Sequence, residues 1–267
     1  MKSQSIANRT NNFTPRHDAF GEDIDRDVVV RATEYPLGFS SKRHWHGRVQ
    51  LVYSSSGVVR VTTERGTWVV PPQRGVWIPP RVEHEIESSS PLSMRSLYIR
   101  SDYNPGLPTD CSVVSVTTLL RELILRAAQA PQLYDLTGPD ARIMGLILDE
   151  IRLMSTVPLK LPEPTDVNLK EITGAIKSNP ADHRTLEAWG RMVGASSRTL
   201  ARLFLSDTGM TFRQWQQQVR LLEGLARLAD GHTVSETALS VGYETTSAFI
   251  AMFRRSLGVT PGQYFAA

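Results

Sequence analysis

Nine residues, VPLKLPEPT at 157–165, constrain this chain more than any other stretch. Their three prolines remove backbone donors and push the preceding residues out of the helical region, so no helix or interior strand runs through them. The texture differs on the two sides. Between Val28 and Ile99, short runs rich in Val, Ile, Tyr and Trp alternate with Gly, Pro and Ser turns, the pattern of a small antiparallel barrel or sandwich. From Asp166 onward, apolar residues recur every three or four positions, the pattern of helices. A chain of 267 residues is long enough for two cores, so the expectation is a multidomain protein. Its parts would be an all-β N-terminal barrel, a helical connector and a C-terminal all-α domain.

The expected boundaries are a flexible polar arm over residues 1–22, a β domain over 23–110, a connector over 111–156, the linker at 157–165 and a helical domain over 166–267. In the β domain, Val59–Thr63 and Thr67–Val70 flank Glu64-Arg65-Gly66 as a hairpin. Pro71-Pro72 and Pro79-Pro80 belong at corners or edges. The connector reads as two helices, about 116–130 and 139–154, with Leu119, Leu120, Leu123, Leu146, Ile147 and Ile151 at helical spacing. Such a pair either forms a dimer seam or caps the barrel of its own subunit.

Composition sets limits. Hydrophobic content of 40% with 21% charged residues is that of a soluble globular protein, and the formal net charge of +3 permits nucleic-acid binding without requiring it. A lone cysteine, Cys111, excludes an intrachain disulfide and a cysteine-rich metal site. No apolar run reaches membrane-spanning length, and the N-terminus lacks a signal-peptide core, so a cytoplasmic protein with no membrane partner is expected.

The C-terminal domain contains the same pattern twice. Thr233 to Pro261 reads as a helix, a turn at Gly242 and a second helix. Val234, Ala238 and Val241 make one inner face, Phe249 and Phe253 the other. Ser247, Ala248, Ala251, Arg254 and Arg255 are then left outside. Residues 185–207 repeat the arrangement around Gly194, leaving Ser197, Arg198, Ala201 and Arg202 outside. An apolar helix over about 211–229 joins the units; at about 28 Å it approaches the 34 Å repeat of B-DNA.

On these residues, 166–265 resembles the DNA-binding domain of the AraC/XylS family of bacterial transcription regulators. The resemblance is carried by Ala188, Ser196 through Phe204 (SSRTLARLF), Gly209, Ala238, Val241-Gly242-Tyr243, Phe249, Phe253, Gly258, Pro261 and Tyr264. It implies two helix-turn-helix subdomains bridged by one helix. It also implies DNA contacts from Ser196, Ser197, Arg198 and Arg202 in the first unit, and from Thr246, Ser247, Ala248, Ala251, Arg254 and Arg255 in the second. Arg198 and Arg202, at i and i+4, suit bidentate pairing with guanine, whereas Ala248 and Ala251 offer only apolar contact to thymine methyls. More base specificity is therefore expected from the first unit.

In the β domain, Gly38-x5-His44-Trp45-His46-x3-Gln50-x6-Gly57 resembles the first cupin motif, and Pro79-Pro80-Arg81-Val82-Glu83-His84 the second. His44 and His46 share one side of a strand and His84 returns from a later one. The three are candidates either for a divalent metal site or for hydrogen-bonded pocket residues. Gln50 stands where metal-binding cupins usually carry glutamate, and Arg81 where the motif usually has glycine. No cofactor is otherwise implied. His44, Trp45, His46, Gln50, Tyr53, Trp68, Trp77 and His84 are the candidate lining of an effector pocket.

The expected function is an effector-responsive, sequence-specific regulator of bacterial transport or catabolic genes. Its partners would be a double-stranded DNA operator, a small-molecule effector, a second copy of itself and, for an activator, RNA polymerase. The rival is a metal-dependent cupin enzyme with a helical appendage.

Overall fold

A computed structural model describes residues 16–72, 74–103, 106–107, 109–157 and 159–266. The first strands are Arg16–His17 (β1), Val28–Tyr35 (β2), His44–Trp45 (β3), Val49–Ser56 (β4), Val59–Thr63 (β5), Gly66–Val70 (β6), Arg74–Ile78 (β7), Glu85–Glu87 (β8), Leu92–Ile99 (β9) and Ser112–Ser115 (β10). Helices Thr118–Ala127 (α1) and Pro139–Arg152 (α2) follow, then short strands Thr156–Val157 (β11) and Lys160–Leu161 (β12). The rest is helical: Val167–Ser178 (α3), Leu186–Val193 (α4), Ser197–Thr208 (α5), Phe212–Ala229 (α6), Val234–Ser240 (α7), Thr246–Leu257 (α8) and Pro261–Ala266 (α9). Of the polar arm expected over 1–22, residues 1–15 lie outside the described residues; Arg16 and His17 pair in parallel with β3.

Alternation builds the β domain. One sheet runs β11-β10-β7-β4-β9-β2 and faces a second, β12-β6-β5-β8. Along β4, Gln50 and Val52 point inward, while Val49, Leu51 and Tyr53 join Trp77, Leu97 and Ile99 on the outer face. Leu120 and Ile124 of α1 and Met144, Ile147 and Ile151 of α2 cover that outer face. The hairpin is as expected, with Thr63 opposite Gly66.

The segment 157–165 keeps its place as the connection, yet part of it is strand. β11 pairs with β10, and β12 pairs with β6. The helical half then packs on this connection. Trp215 Nε1 donates to the Pro162 carbonyl at 2.9 Å, and Gln218 Nε2 to that of Lys160 at 3.0 Å. Arg60 of β5 lies 3.8 Å from Glu223 of α6, so the two halves meet through both apolar and charged groups.

Arg81 has a φ of 62°, the only positive value at a non-glycine among the described residues. The left-handed region costs an L-residue about 1–2 kcal/mol, and glycine's extra unfolded-state freedom costs about 0.5–1 kcal/mol. Arg81→Gly is therefore expected to raise stability by up to about 1 kcal/mol in a urea titration. A loss of stability instead would show that the side chain itself holds the turn.

Each helix-turn-helix start is capped by a hydroxyl. The side chains of Thr185, Ser196, Thr233 and Thr245 accept from the backbone N–H of the third residue of the following helix, each contributing about 1 kcal/mol. Gly194, Gly209 and Gly258 end α4, α5 and α8 in the left-handed conformation. Pro261, expected only to stop α8, also begins α9; Thr260 and Gln263 bond reciprocally ahead of it, and proline suits a first-turn position.

Candidate nucleic-acid interface and barrel cavity

The two units share one internal hydrogen bond, which fixes their equivalence. The Ala195 N–H donates to the Gly190 carbonyl, and the Tyr243 N–H to the Ala238 carbonyl, each at 2.9 Å. Gly190 is thus the counterpart of Ala238. Gly242 holds the second turn with φ +84°, and a Cβ there would stand 2.7 Å from the Ala181 Cα, so only glycine fits.

Leu200 and Phe204 turn α5 inward, and Phe249, Met252 and Phe253 do the same for α8. The opposite faces are consequently exposed. Arg198, Ala201 and Arg202 project from α5; Ser247, Ala248, Ala251, Arg254 and Arg255 project from α8. Among the described residues none of these four arginines is in an ion pair, so their charge is available to an external anion. Three other expected contacts are partly committed. Ser196 caps α5 through Thr199 N, Ser197 is half-buried, and the Thr246 hydroxyl donates to Ser235 Oγ at 3.2 Å. Those residues anchor the reading helices and offer first-turn backbone N–H groups rather than free side chains.

The candidate pocket residues divide into groups. A cavity of about 490 Å³ inside the barrel is lined by His44 and Gln50. His46 and His84 lie buried behind it, their rings 5.0 Å apart and that of His84 4.3 Å from His44. Trp45 stacks on His17 at 4.3 Å, outside the lining. Tyr53 and Trp77 are excluded because strand alternation places them on the outer sheet face under α1 and α2. Trp68 serves another cavity, with Lys160 and Arg81. Sequence reasoning missed most of the rest of the wall, Arg16, Arg31, Tyr35, Phe39 and Tyr98 among it. The period of two along β2 and β9 carried a signal for Arg31, Tyr35 and Tyr98; nothing local marked Arg16.

Backbone carbonyls fix the three imidazoles. Nδ1 of His44, His46 and His84 faces the carbonyls of Lys42, Arg48 and Val82 at 2.8, 2.6 and 2.8 Å, so each neutral ring carries its proton on Nδ1. The Gln50 amide lies 2.9 Å from His46 Nε2 and 3.1 and 3.0 Å from the Ser96 and Tyr98 hydroxyls. That tautomer requires the amide NH2 to face His46, with the amide oxygen accepting from the hydroxyls. Burial pushes the Tyr98 phenol up to about 12, so it stays a donor. His46 Nε2 is thereby used, leaving only His44 and His84 with bare nitrogens. No group of three His, Cys, Asp or Glu among the described residues is arranged to hold a metal ion. The residues do not fit a metal centre.

Burial, and then the neighbouring His44 and His46, push His84 down to about 3; burial also lowers His46. Both folded values lie below the ordinary value of about 6.5, so the unfolded state takes up protons first as the pH falls. Stability from these groups is full above about pH 6.5 and is lost as the pH falls below it, for His84 down to about pH 3, with a limiting slope of about 1.4 kcal/mol per unit for each histidine. Denaturant midpoints measured from pH 7.5 to 5 check this; a His84→Gln chain is expected to show a shallower decline.

A barrel joined to two capped helix-turn-helix units on a shared helix defines a DNA-binding regulator with a sensing domain. Comparison with known proteins makes the class specific. A profile for an AraC-like ligand binding domain matches residues 28–158, and one for a helix-turn-helix domain matches 189–267. The HTH-type transcriptional regulator NimR of Escherichia coli (strain K12) is 34% identical over 227 residues, covering 85% of this chain and 83% of that protein. The HTH-type transcriptional regulator RipA of Corynebacterium glutamicum is 35% identical over 103 residues, covering 39% and 31%. A crystal structure of unsaturated fatty acid bound ToxT from Vibrio cholerae aligns at 11% identity with a TM-score of 0.37, covering 89% of this chain and 94% of that one. The chain belongs to the AraC family of transcriptional regulators. The rival reading as a cupin enzyme falls with that membership.

Proposed function

We propose that the chain reads an operator mainly through Arg198 and Arg202 of α5, with α8 positioned beside it by α6, and that a small effector in the barrel cavity modulates this reading. The observation that carries the proposal is the exposure of those two arginines, free of ion pairs among the described residues, on a helix whose other face is buried. At 18 residues, α6 is about 27 Å long, suited to holding two reading helices near one turn of B-DNA apart. Gel shifts of the full chain against DNA upstream of its own gene test this. Salt-sensitive binding that random DNA competes away equally well would sink the sequence-specific reading.

The effector acts through the connection at 157–165, whose β12 lies against both barrel and α6. A cytoplasmic location fits this role, and no described helix is long and apolar enough to cross a membrane. An activator of this kind would also meet RNA polymerase.

The active form is a homodimer joined through α1 and α2. Although both helices cap their own barrel, Leu119, Leu146 and Leu153 remain 56%, 52% and 76% exposed, an apolar surface available to a second copy. Leu146→Glu/Leu153→Glu is expected to yield monomers in sedimentation velocity and to weaken binding to a two-half-site operator at least ten-fold. Unchanged sedimentation would make the helices a cap only.

A further inference from the structure

Resting on the reading of the barrel as the effector pocket, we propose that its ligand is a small organic anion with an apolar body and one hydroxyl or amine donor. Three features of the cavity lead to this class. The first is charge. Arg16, Arg31 and Lys42 line the cavity against a single carboxylate, Asp18. That carboxylate is occupied, accepting from Arg31 at 3.2 Å and from the Phe20 N–H at 3.1 Å. The Arg16 guanidinium has no ion pair among the described residues. A bound carboxylate would therefore meet a positive field, and two guanidinium groups suit its planar geometry.

The second feature is the bare imidazole nitrogen. His44 lines the cavity, and its Nδ1–H is committed to the Lys42 carbonyl, so Nε2 presents a lone pair. His84, with its ring 4.3 Å away, has an Nε2 that is buried and without a partner. The His44 acceptor facing the cavity requires a donor, which a simple carboxylate lacks but a hydroxyl or amine on the same ligand supplies. The third feature is the wall between these poles. Tyr35 and Phe39 stack at 3.7 Å, and Ile86 and Met94 line the same cavity. At about 490 Å³ the space suits a ligand of modest size.

The test uses the full chain and three matched probes: 2-hydroxy-3-phenylpropanoate, 3-phenylpropanoate and 3-phenylpropane-1,2-diol. Calorimetry at fixed salt and pH 8 is expected to show the hydroxy acid binding at least ten-fold tighter than either analogue. Arg16→Gln is expected to erase its advantage over the diol, and His44→Leu its advantage over the deoxy acid. Arg31 also packs on Phe20, so Arg16 is the safer variant to substitute. Equal affinity for diol and hydroxy acid would overturn the anion; equal affinity for the two acids would overturn the donor. Stoichiometric zinc binding abolished by His44→Leu would assign the bare nitrogens to a metal and overturn it as well. A library of neutral fragments screened in parallel separates the two failures. Neutral ligands binding where the acids do not would sink the ligand class alone, whereas no binder in either set would sink the effector reading with it.

Discussion

The Arg198→Ala/Arg202→Ala chain is expected to lose about 2–6 kcal/mol of affinity for its specific operator, taking about 1–3 kcal/mol for each bidentate base contact. Loss on random DNA should be much smaller. The two side chains lie one turn apart on the exposed face of α5 and are in no ion pair among the described residues. Their removal therefore breaks no ion pair among the described residues, and the folded domain should keep its melting temperature. Because neighbours at i and i+4 share the same groove, their effects need not add, and both single variants belong in the measurement. Gel shifts at one salt concentration, on operator and random duplexes, read the difference. Equal loss on both would reassign the arginines to phosphates, leaving base reading to α8.

A second large effect concerns the scaffold. Phe249→Ala is expected to destabilise the helical domain by about 3–5 kcal/mol, the range for emptying a buried aromatic site. Phe249 is fully buried between Tyr243 and Phe253, at ring distances of 5.7 and 6.0 Å. It also reaches α6 so closely that a Cβ on Gly224 would stand 2.9 Å from its Cε2. Relaxation into the space is hindered, since the turn at Gly242 already lies against Ala181. A domain of ordinary stability, about 5–15 kcal/mol, would lose a large share of it. Urea titration of the full chain gives the value, and Phe249→Leu should fall between. A change below about 1 kcal/mol would show that α8 is not held to α6 through this ring.

Much of the helical domain was legible because its signals are local. Hydroxyl caps, left-handed glycines and the three-to-four spacing of large apolar residues lie within a few positions of one another. The places expected for the two helix-turn-helix units and the bounds expected for α6 therefore match closely. The cavity was less legible. Spacing points to His44 and Gln50, whereas Tyr53 and Trp77, candidates on aromatic character alone, lie in the core of the outer face. Alternation from Gln50 places Tyr53 on the opposite face, a parity available in the sequence once the inward residue of β4 is known. Arg16 is different in kind: it reaches the cavity only because β1 pairs in parallel with β3, twenty-eight positions further on.

Order along the chain determined the family-level architecture, a β half followed by two helix-turn-helix units, and which faces of α5 and α8 turn outward. Short-range periodicity and capping suffice for that, because each helix selects its own buried stripe. Only the tertiary structure decided that residues 160–161 form a strand against β6 rather than a loose tether, that α6 rests on the barrel side of this connection, and that the histidine cluster lacks the third free nitrogen a metal would need. Those outcomes depend on backbone donors and acceptors meeting across many intervening residues. No local pattern specifies such long-range pairings; the two facing sheets do, by giving each strand fixed neighbours.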